Sequence, residues 1–251
     1  VFPGQGSQSI GMGKNLYENF DYVKEIFDNA NDVLGFDLKN LCFEGDLNTL
    51  TQTQNAQPAI LCVSYASYLV YQKEIDFRPI FAAGHSLGEF SALCASGVIS
   101  FEDTLKLVRK RGELMNNIGQ ESQGSMAAIS NTDYYIVEHV CEQLTNDGLQ
   151  VVISNYNAPE QIVISGIKKD VNQAIEVLKE KNAKAIPLNV SGAFHSPLME
   201  PIVNEFKNEL QKITLNEFSF PVISNVNALP YENVEQIRDL LSKQLVQPVQ
   251  W

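Results

Sequence analysis

The sequence predicts an α/β fold in which a small ferredoxin-like domain interrupts a larger α/β domain, and three observations carry the prediction. Residues 124–190 run in the order strand, helix, strand, strand, helix, strand, which is the ferredoxin-like order. Before them, a short apolar run, a tight glycine-flanked turn and an apolar helix follow one another: strand, sharp turn, helix. After them, Pro221–Val226 reads as a further strand, so the larger domain is assembled from residues 1–123 and 191–251. A chain of 251 residues, 44% of them hydrophobic, can fill a core of that size.

Taken in order, Val1-Phe2-Pro3 reads as the tail of a strand running into the glycine-dense loop Gly4-Gln5-Gly6-Ser7-Gln8. Leu16, Phe20, Val23, Phe27, Ala30 and Leu34 then recur at helical spacing, and Gly35 stands where the C-cap belongs. Pro58 opens a second, strongly apolar helix that reaches about Gln72. Pro79–Ala83 reads as a short buried strand, Gly84–Gly88 as the turn and Glu89–Ala95 as a buried helix. Ser100 is an N-cap for a helix carrying Phe101, Leu105, Val108, Gly112 and Met115 on one stripe. Within 124–190 the strands are Ser125–Ser130, Gln150–Asn155, Gln161–Ser165 and Lys184–Val190, and the helices Asp133–Asn146 and Lys168–Lys181.

A net charge of −12 argues against nucleic acid, whose phosphates need a cationic face. The longest apolar stretch, Ala59–Val70, is shorter than the roughly 20 residues a membrane-spanning helix needs, so a soluble protein without a membrane partner is expected. The four cysteines lie far apart with no Cys-x-x-Cys pair, and no basic-then-apolar leader precedes Val1; both features point to the cytoplasm and to free, mostly buried thiols. Without an initiator Met, and with a stop at Trp251 just after an apolar run, the chain reads as trimmed at both ends. A monomer with no metal and no permanently bound cofactor is expected.

The chemistry centres on Gly84-His85-Ser86-Leu87-Gly88, a Gly-x-Ser-x-Gly nucleophile elbow in the strand–turn–helix setting it requires. The first amide of the following helix, Leu87 N–H, points at the oxygen that turns negative when a thioester or ester is attacked. Three histidines could serve as base. His85 is adjacent to Ser86 and its side chain diverges; His139 sits among Val137, Val140 and Cys141 on a helix; His195, on a loop after a strand, is the candidate. No Asp or Glu stands out as a third member, so a backbone carbonyl can orient the imidazole. Arg111 falls inside the apolar arc of its helix, where an unpaired guanidinium costs several kcal/mol. It is either half of a structural ion pair or a clamp for a substrate carboxylate. Gly4-x-Gly6 falls short of a dinucleotide fingerprint, and the Gln5 N–H reads better as a second oxyanion donor.

These residues resemble the malonyl-CoA:acyl-carrier-protein transacylases and the acyltransferase domains of polyketide synthases. The resemblance rests on Phe2-Pro3-Gly4-Gln5-Gly6-Ser7-Gln8, Gln57-Pro58-Ala59, Gly84-His85-Ser86-Leu87-Gly88-Glu89 and Pro248-Val249-Gln250-Trp251, and spans nearly the whole chain. It implies a hydrolase-like α/β core with a ferredoxin-like insertion. It further implies Ser86 as the acylated nucleophile, His195 as base, the Gln5 and Leu87 amides as oxyanion hole and Arg111 as partner of the malonyl carboxylate. Gln250 would line the site and orient His195 through its carbonyl. His85 and Phe194 would border the substrate, and Asn155 and Asn157 the pantetheine channel. Substrates would be coenzyme A thioesters, malonyl-CoA first, and the partner a phosphopantetheinylated acyl carrier protein. Two departures stand out: the family continues past Val-Gln-Trp with a Gly-Pro-Gly turn, and Gly192-Ala193-Phe194-His195 has glycine where malonyl-selective polyketide acyltransferases have histidine. Two rival readings keep the same residues: an esterase or acyl-carrier thioesterase in which water resolves the acyl-enzyme, and a non-catalytic carrier-protein docking module.

Overall fold

The computed structural model describes residues 1–75 and 78–251. In chain order the first elements are α1 (Lys14–Asn19), α2 (Asp21–Leu34), α3 (Leu38–Glu44), α4 (Leu47–Thr51), α5 (Thr53–Ile75), β1 (Ala82–Ala83), α6 (Leu87–Ala95) and α7 (Phe101–Ser122). Then come β2 (Gly124–Ser130), α8 (Tyr134–Asn146), β3 (Val151–Ala158), β4 (Gln161–Ile167), α9 (Lys168–Glu180) and β5 (Lys184–Pro187). A 3-10 turn at Pro197–Met199 leads to α10 (Glu200–Lys212), β6 (Val222–Ile223), α11 (Glu235–Lys243) and β7 (Val249–Gln250). The chain forms two compact units, one of Val1–Glu113, Asn208–Ser224 and Leu229–Ile237, the other of Leu114–Lys207, Asn225–Ala228 and Arg238–Trp251.

In the first unit the helix expected through Leu16–Leu34 is broken. Phe20 is extended, with φ −131° and ψ 114°, and Asp21 starts a new helix beyond it. Gly35 closes α2 in the left-handed region at φ 71°, its N–H donating to the Asn31 carbonyl. The parallel pair β1–β6 joins Ala82 to Val222 and Ala83 to Ile223, and Phe2 extends it by bridging to Gly84. Pairing is confined to the end of the expected strand, because its partners run alongside only from Pro221 and Phe2 onward. Ile80 and Phe81, read as buried, are 79% and 56% exposed. α6 is buried throughout and packs against α5.

Pro58 does not open α5 but lies inside it. Without an N–H, Pro58 leaves the Gln54 carbonyl, four residues back, without its helical donor. Arg109 on α7 supplies one: its Nη1 donates to Gln54 O at 3.1 Å and to Asn55 Oδ1 at 2.7 Å, while its Nε pairs with Glu113 at 2.6 Å. Gly112 permits this approach, since a Cβ there would stand 2.6 Å from Gln54 Cα. Arg109→Ala is expected to lower the unfolding free energy by about 1–3 kcal/mol, the cost of stranding a part-buried carbonyl, read as a shifted urea midpoint at constant slope. An unchanged midpoint would show that water replaces the guanidinium.

The second unit holds a five-stranded sheet in the order β5-β2-β4-β3-β7. Its first three pairings are antiparallel, with β2 and β4 matched from Gly124↔Ile167 to Ser130↔Gln161, and β7 joins β3 in parallel. Val137 and Val140 of α8 and Val171 and Ile175 of α9 pack with Ile129 and Ile164 of the sheet. β5 stops at Pro187, short of the expected Val190, and only Leu188 N–H continues its register beyond, donating to Met126 O at 2.9 Å.

The four cysteines are free and buried. Burial pushes the thiols of Cys42, Cys94 and Cys141 up to about 12, and raises that of Cys62 well above its ordinary range. Among the described residues no helix is long and apolar enough to cross a membrane, and no group of three or more His, Cys, Asp or Glu could hold a metal ion.

Candidate active site

The turn between β1 and α6 is held by close backbone contact. A Cβ at Gly84 would fall 1.8 Å from the Gly88 carbonyl carbon, and one at Gly88 would fall 2.3 Å from Phe2 O. Only glycine fits either place, which is the physical content of the Gly-x-Ser-x-Gly spacing. Between them Ser86 adopts φ 51° and ψ −103°, a conformation that costs a non-glycine residue about 1–3 kcal/mol. The turn spends Gly88 N–H on His85 O and Glu89 N–H on Ser86 O. Leu87 N–H, the first amide of α6, is not among the groups those bonds use, so it suits an oxyanion.

The Gly4-Gln5-Gly6 loop lies against this turn. His85 N–H donates to Phe2 O at 3.1 Å, and a Cβ on Gly4 would come within 2.5 Å of His85 O. The backbone of His85 is thus used to dock the loop that carries Gln5. The side-chain amide of Gln5 donates to Thr53 Oγ1 at 3.2 Å.

Arg111 is the largest fully buried side chain described, at 1% exposure. Its Nη1 donates to Gln57 Oε1 at 2.9 Å and its Nη2 to Ser86 Oγ at 3.1 Å, and the guanidinium carbon sits 5.2 Å from the centre of the Phe90 ring. Burial pulls its pKa down to about 10, a fall that the nearby charge of Glu89 partly opposes, so it is cationic at neutral pH. The first unit therefore brings Ser86, Leu87 and Arg111 together with Gln57. Gln57 was visible only as part of a short motif; its burial beside Pro58 gives it the role of fixing the arginine.

The second unit holds the remaining candidates. His195 is 3% exposed, has φ 55°, and its Nδ1 lies 2.6 Å from the carbonyl of Gln244. A carbonyl only accepts, so Nδ1 carries the proton and Nε2 the lone pair that a base needs. The orienting carbonyl expected from Gln250 is Gln244's instead. Gln244 directly follows α11, where the last carbonyls have no further turn to bond. Gln250 is committed to β7, its N–H donating to Asn225 O at 2.8 Å. Nothing in the sequence singles out Gln244.

Phe194 is 5% exposed, and a Cβ on Gly192 would approach its ring to 3.1 Å and Gly119 Cα to 2.7 Å. The glycine that departs from the family pattern thus sits where the end of α7 crosses the 191–193 loop. Irregularities in β3 at Ile153/Asn155 and at Tyr156/Ala158 flank the two asparagines. Asn155 is buried and its Oδ1 accepts from Ser154 Oγ at 2.8 Å, whereas Asn157 borders a cavity of 480 Å³ with Tyr134, Tyr156 and Trp251. His139 is exposed on α8.

A serine on a strained turn, with a helix amide and a buried arginine beside it, is the arrangement of an acyl-transferring enzyme. The family described as acyl transferase domain matches residues 1–251. A malonyl CoA-acyl carrier protein transacylase of Bacillus subtilis (strain 168) is 48% identical over 252 residues, covering all of this chain and 79% of that protein. Another protein of that name from Bacillus subtilis is 42% identical over 251 residues, and the chain spans 63% of its length. A solved malonyl-transacylase in complex with its type II polyketide synthase acyl-carrier protein superposes with a TM-score of 0.96 at 40% identity, over 100% of this chain and 81% of that one. The chain belongs to the malonyl CoA-acyl carrier protein transacylase family of acyltransferases.

Proposed function

We propose that the protein moves a malonyl group from malonyl-CoA to the phosphopantetheine thiol of an acyl carrier protein, through a malonyl ester on Ser86. The observation that carries this reading is the buried Arg111, whose Nη2 reaches Ser86 Oγ at 3.1 Å. A permanent cation beside a nucleophile suits an acyl group that ends in a carboxylate, and a hydrolase of uncharged chains has no use for it.

In the proposed cycle His195 Nε2 takes the proton of Ser86 Oγ as the oxygen bonds to the thioester carbonyl carbon. The resulting oxyanion faces the amides of Leu87 and Gln5. As the carbon–sulfur bond breaks, His195 returns the proton to the departing coenzyme A sulfur, leaving malonyl-Ser86 and neutral imidazole. The carrier thiol then gives its proton to His195, attacks the ester, and Ser86 leaves reprotonated. Arg111 holds the carboxylate through both steps, Phe194 and His85 border the acyl group, Gln250 lines the site, and Asn155 and Asn157 border the pantetheine. We read residues 124–190 as an inserted ferredoxin-like domain, and the enzyme as a cytoplasmic monomer with no resident cofactor.

A burst assay with labelled malonyl-CoA tests the reading. A transferase traps one equivalent of label until a carrier protein is added. Continuous release of malonate would mark a hydrolase, and no trapped label a docking module. Phe194 provides a finer test, because bulk next to the base leaves little room for a branch at the α-carbon. The enzyme should prefer malonyl-CoA to methylmalonyl-CoA in kcat/KM by roughly 10–200-fold, the worth of one methyl group in an apolar pocket. The preference should shrink in Phe194→Ser. Equal use of both thioesters by the unmodified enzyme would remove Phe194 from the acyl pocket.

A further inference from the structure

Glu89, the third residue of α6, is 0% exposed, an unusual place for a carboxylate. The first turn of a helix favours its charge, and Tyr231 donates a hydrogen bond to its Oε1 at 2.5 Å. Tyr231 is itself 6% exposed and takes a hydrogen bond from the side chain of Ser224, which is 0% exposed. Burial, and after it the charge of Glu89, push the tyrosine hydroxyl well above its ordinary range, so it stays a donor. At the far end lies Arg111, held against the same turn of α6: its Nη2 reaches Ser86 Oγ at 3.1 Å and its guanidinium carbon lies 5.2 Å from the ring of Phe90, the neighbour of Glu89, whose charge opposes the fall in the arginine's pKa. Ser224, Tyr231, Glu89 and Arg111 thus form a buried polar series within one compact unit.

We propose that Glu89, held by Tyr231, is a positioning residue that sets the aim of Arg111, so that its terminal nitrogens face Gln57 and Ser86 and are ready for a substrate carboxylate. The proposal rests on the reading of Arg111 as the carboxylate clamp. The turn motif offers a bland alternative, in which Glu89 merely caps α6. A weakened cap disturbs Ser86 and Leu87, which serve every acyl group, and therefore slows all thioesters alike. A role through Arg111 is selective for carboxylated ones.

The test compares kcat/KM for malonyl-CoA and acetyl-CoA in the unmodified enzyme, Glu89→Gln, Tyr231→Phe, Arg111→Ala and the double variant Glu89→Gln/Arg111→Ala. Glu89→Gln, of nearly the same shape, should lose roughly tenfold more activity with malonyl-CoA than with acetyl-CoA, within the range for directly coupled groups. Tyr231→Phe should show the same selectivity to a smaller degree, and it keeps the proposal testable if Glu89→Gln does not fold. In the Arg111→Ala background, Glu89→Gln should cost no further selectivity. Equal loss for both thioesters in Glu89→Gln or Tyr231→Phe, or a selective loss that persists without Arg111, overturns the proposal. Failure of the clamp reading has a different signature: Arg111→Ala alone would impair both thioesters equally.

Discussion

Ser86→Ala should take up no malonyl group from malonyl-CoA, seen by intact-mass analysis as an unshifted protein peak where the unmodified enzyme gains one adduct. Transfer should collapse by several orders of magnitude, on the order of 10⁶ where a serine and its base act as a unit. His195→Ala should lose about 10²–10⁴ in both half-reactions, since the proposed cycle uses the same imidazole in each. The double variant should be no worse than the poorer single one, the mark of groups that share one task. An adduct persisting in Ser86→Ala or mapping to a cysteine would overturn the assignment. Near-normal turnover in His195→Ala, with loss in His139→Ala, would show the wrong histidine to have been chosen.

Arg111→Ala should change preference as well as rate. Removing one partner of a buried charge pair costs about 3–5 kcal/mol, so malonyl transfer should fall by roughly 10² to several times 10³, with acetyl transfer much less affected. Arg111→Lys should recover only part of the loss, because an ammonium cannot grip both carboxylate oxygens in a planar fork. Equal loss for the two acyl groups would mean that Arg111 is a structural partner of Glu89 and nothing more.

The nucleophile turn was legible because its sequence is dictated by sterics: Gly84 and Gly88 touch backbone on facing segments, and no other residue fits. Arg111 was legible for a different reason, as a charge on an apolar face that nothing local could explain. The regular strands and helices of 124–190 could be read from periodicity, whereas the breaks could not. Phe20 belongs to the helical rhythm and still turns extended, and Pro58 looks like a helix start until Arg109 is found on the carbonyl it strands. Gln244 was invisible because it acts through its main chain, which every residue has. The series from Ser224 to Glu89 was hidden too, since it joins positions far apart in sequence.

The burial of all four cysteines has a practical consequence. With every thiol raised well above its ordinary range by burial, the folded protein offers almost no thiolate at neutral pH. A chromogenic disulfide reagent added to the native enzyme would therefore stay silent toward the protein. It would report only the small-molecule sulfhydryl set free when a thioester is consumed, so acyl loading could be followed continuously by absorbance, without a coupling enzyme and without removing a single cysteine.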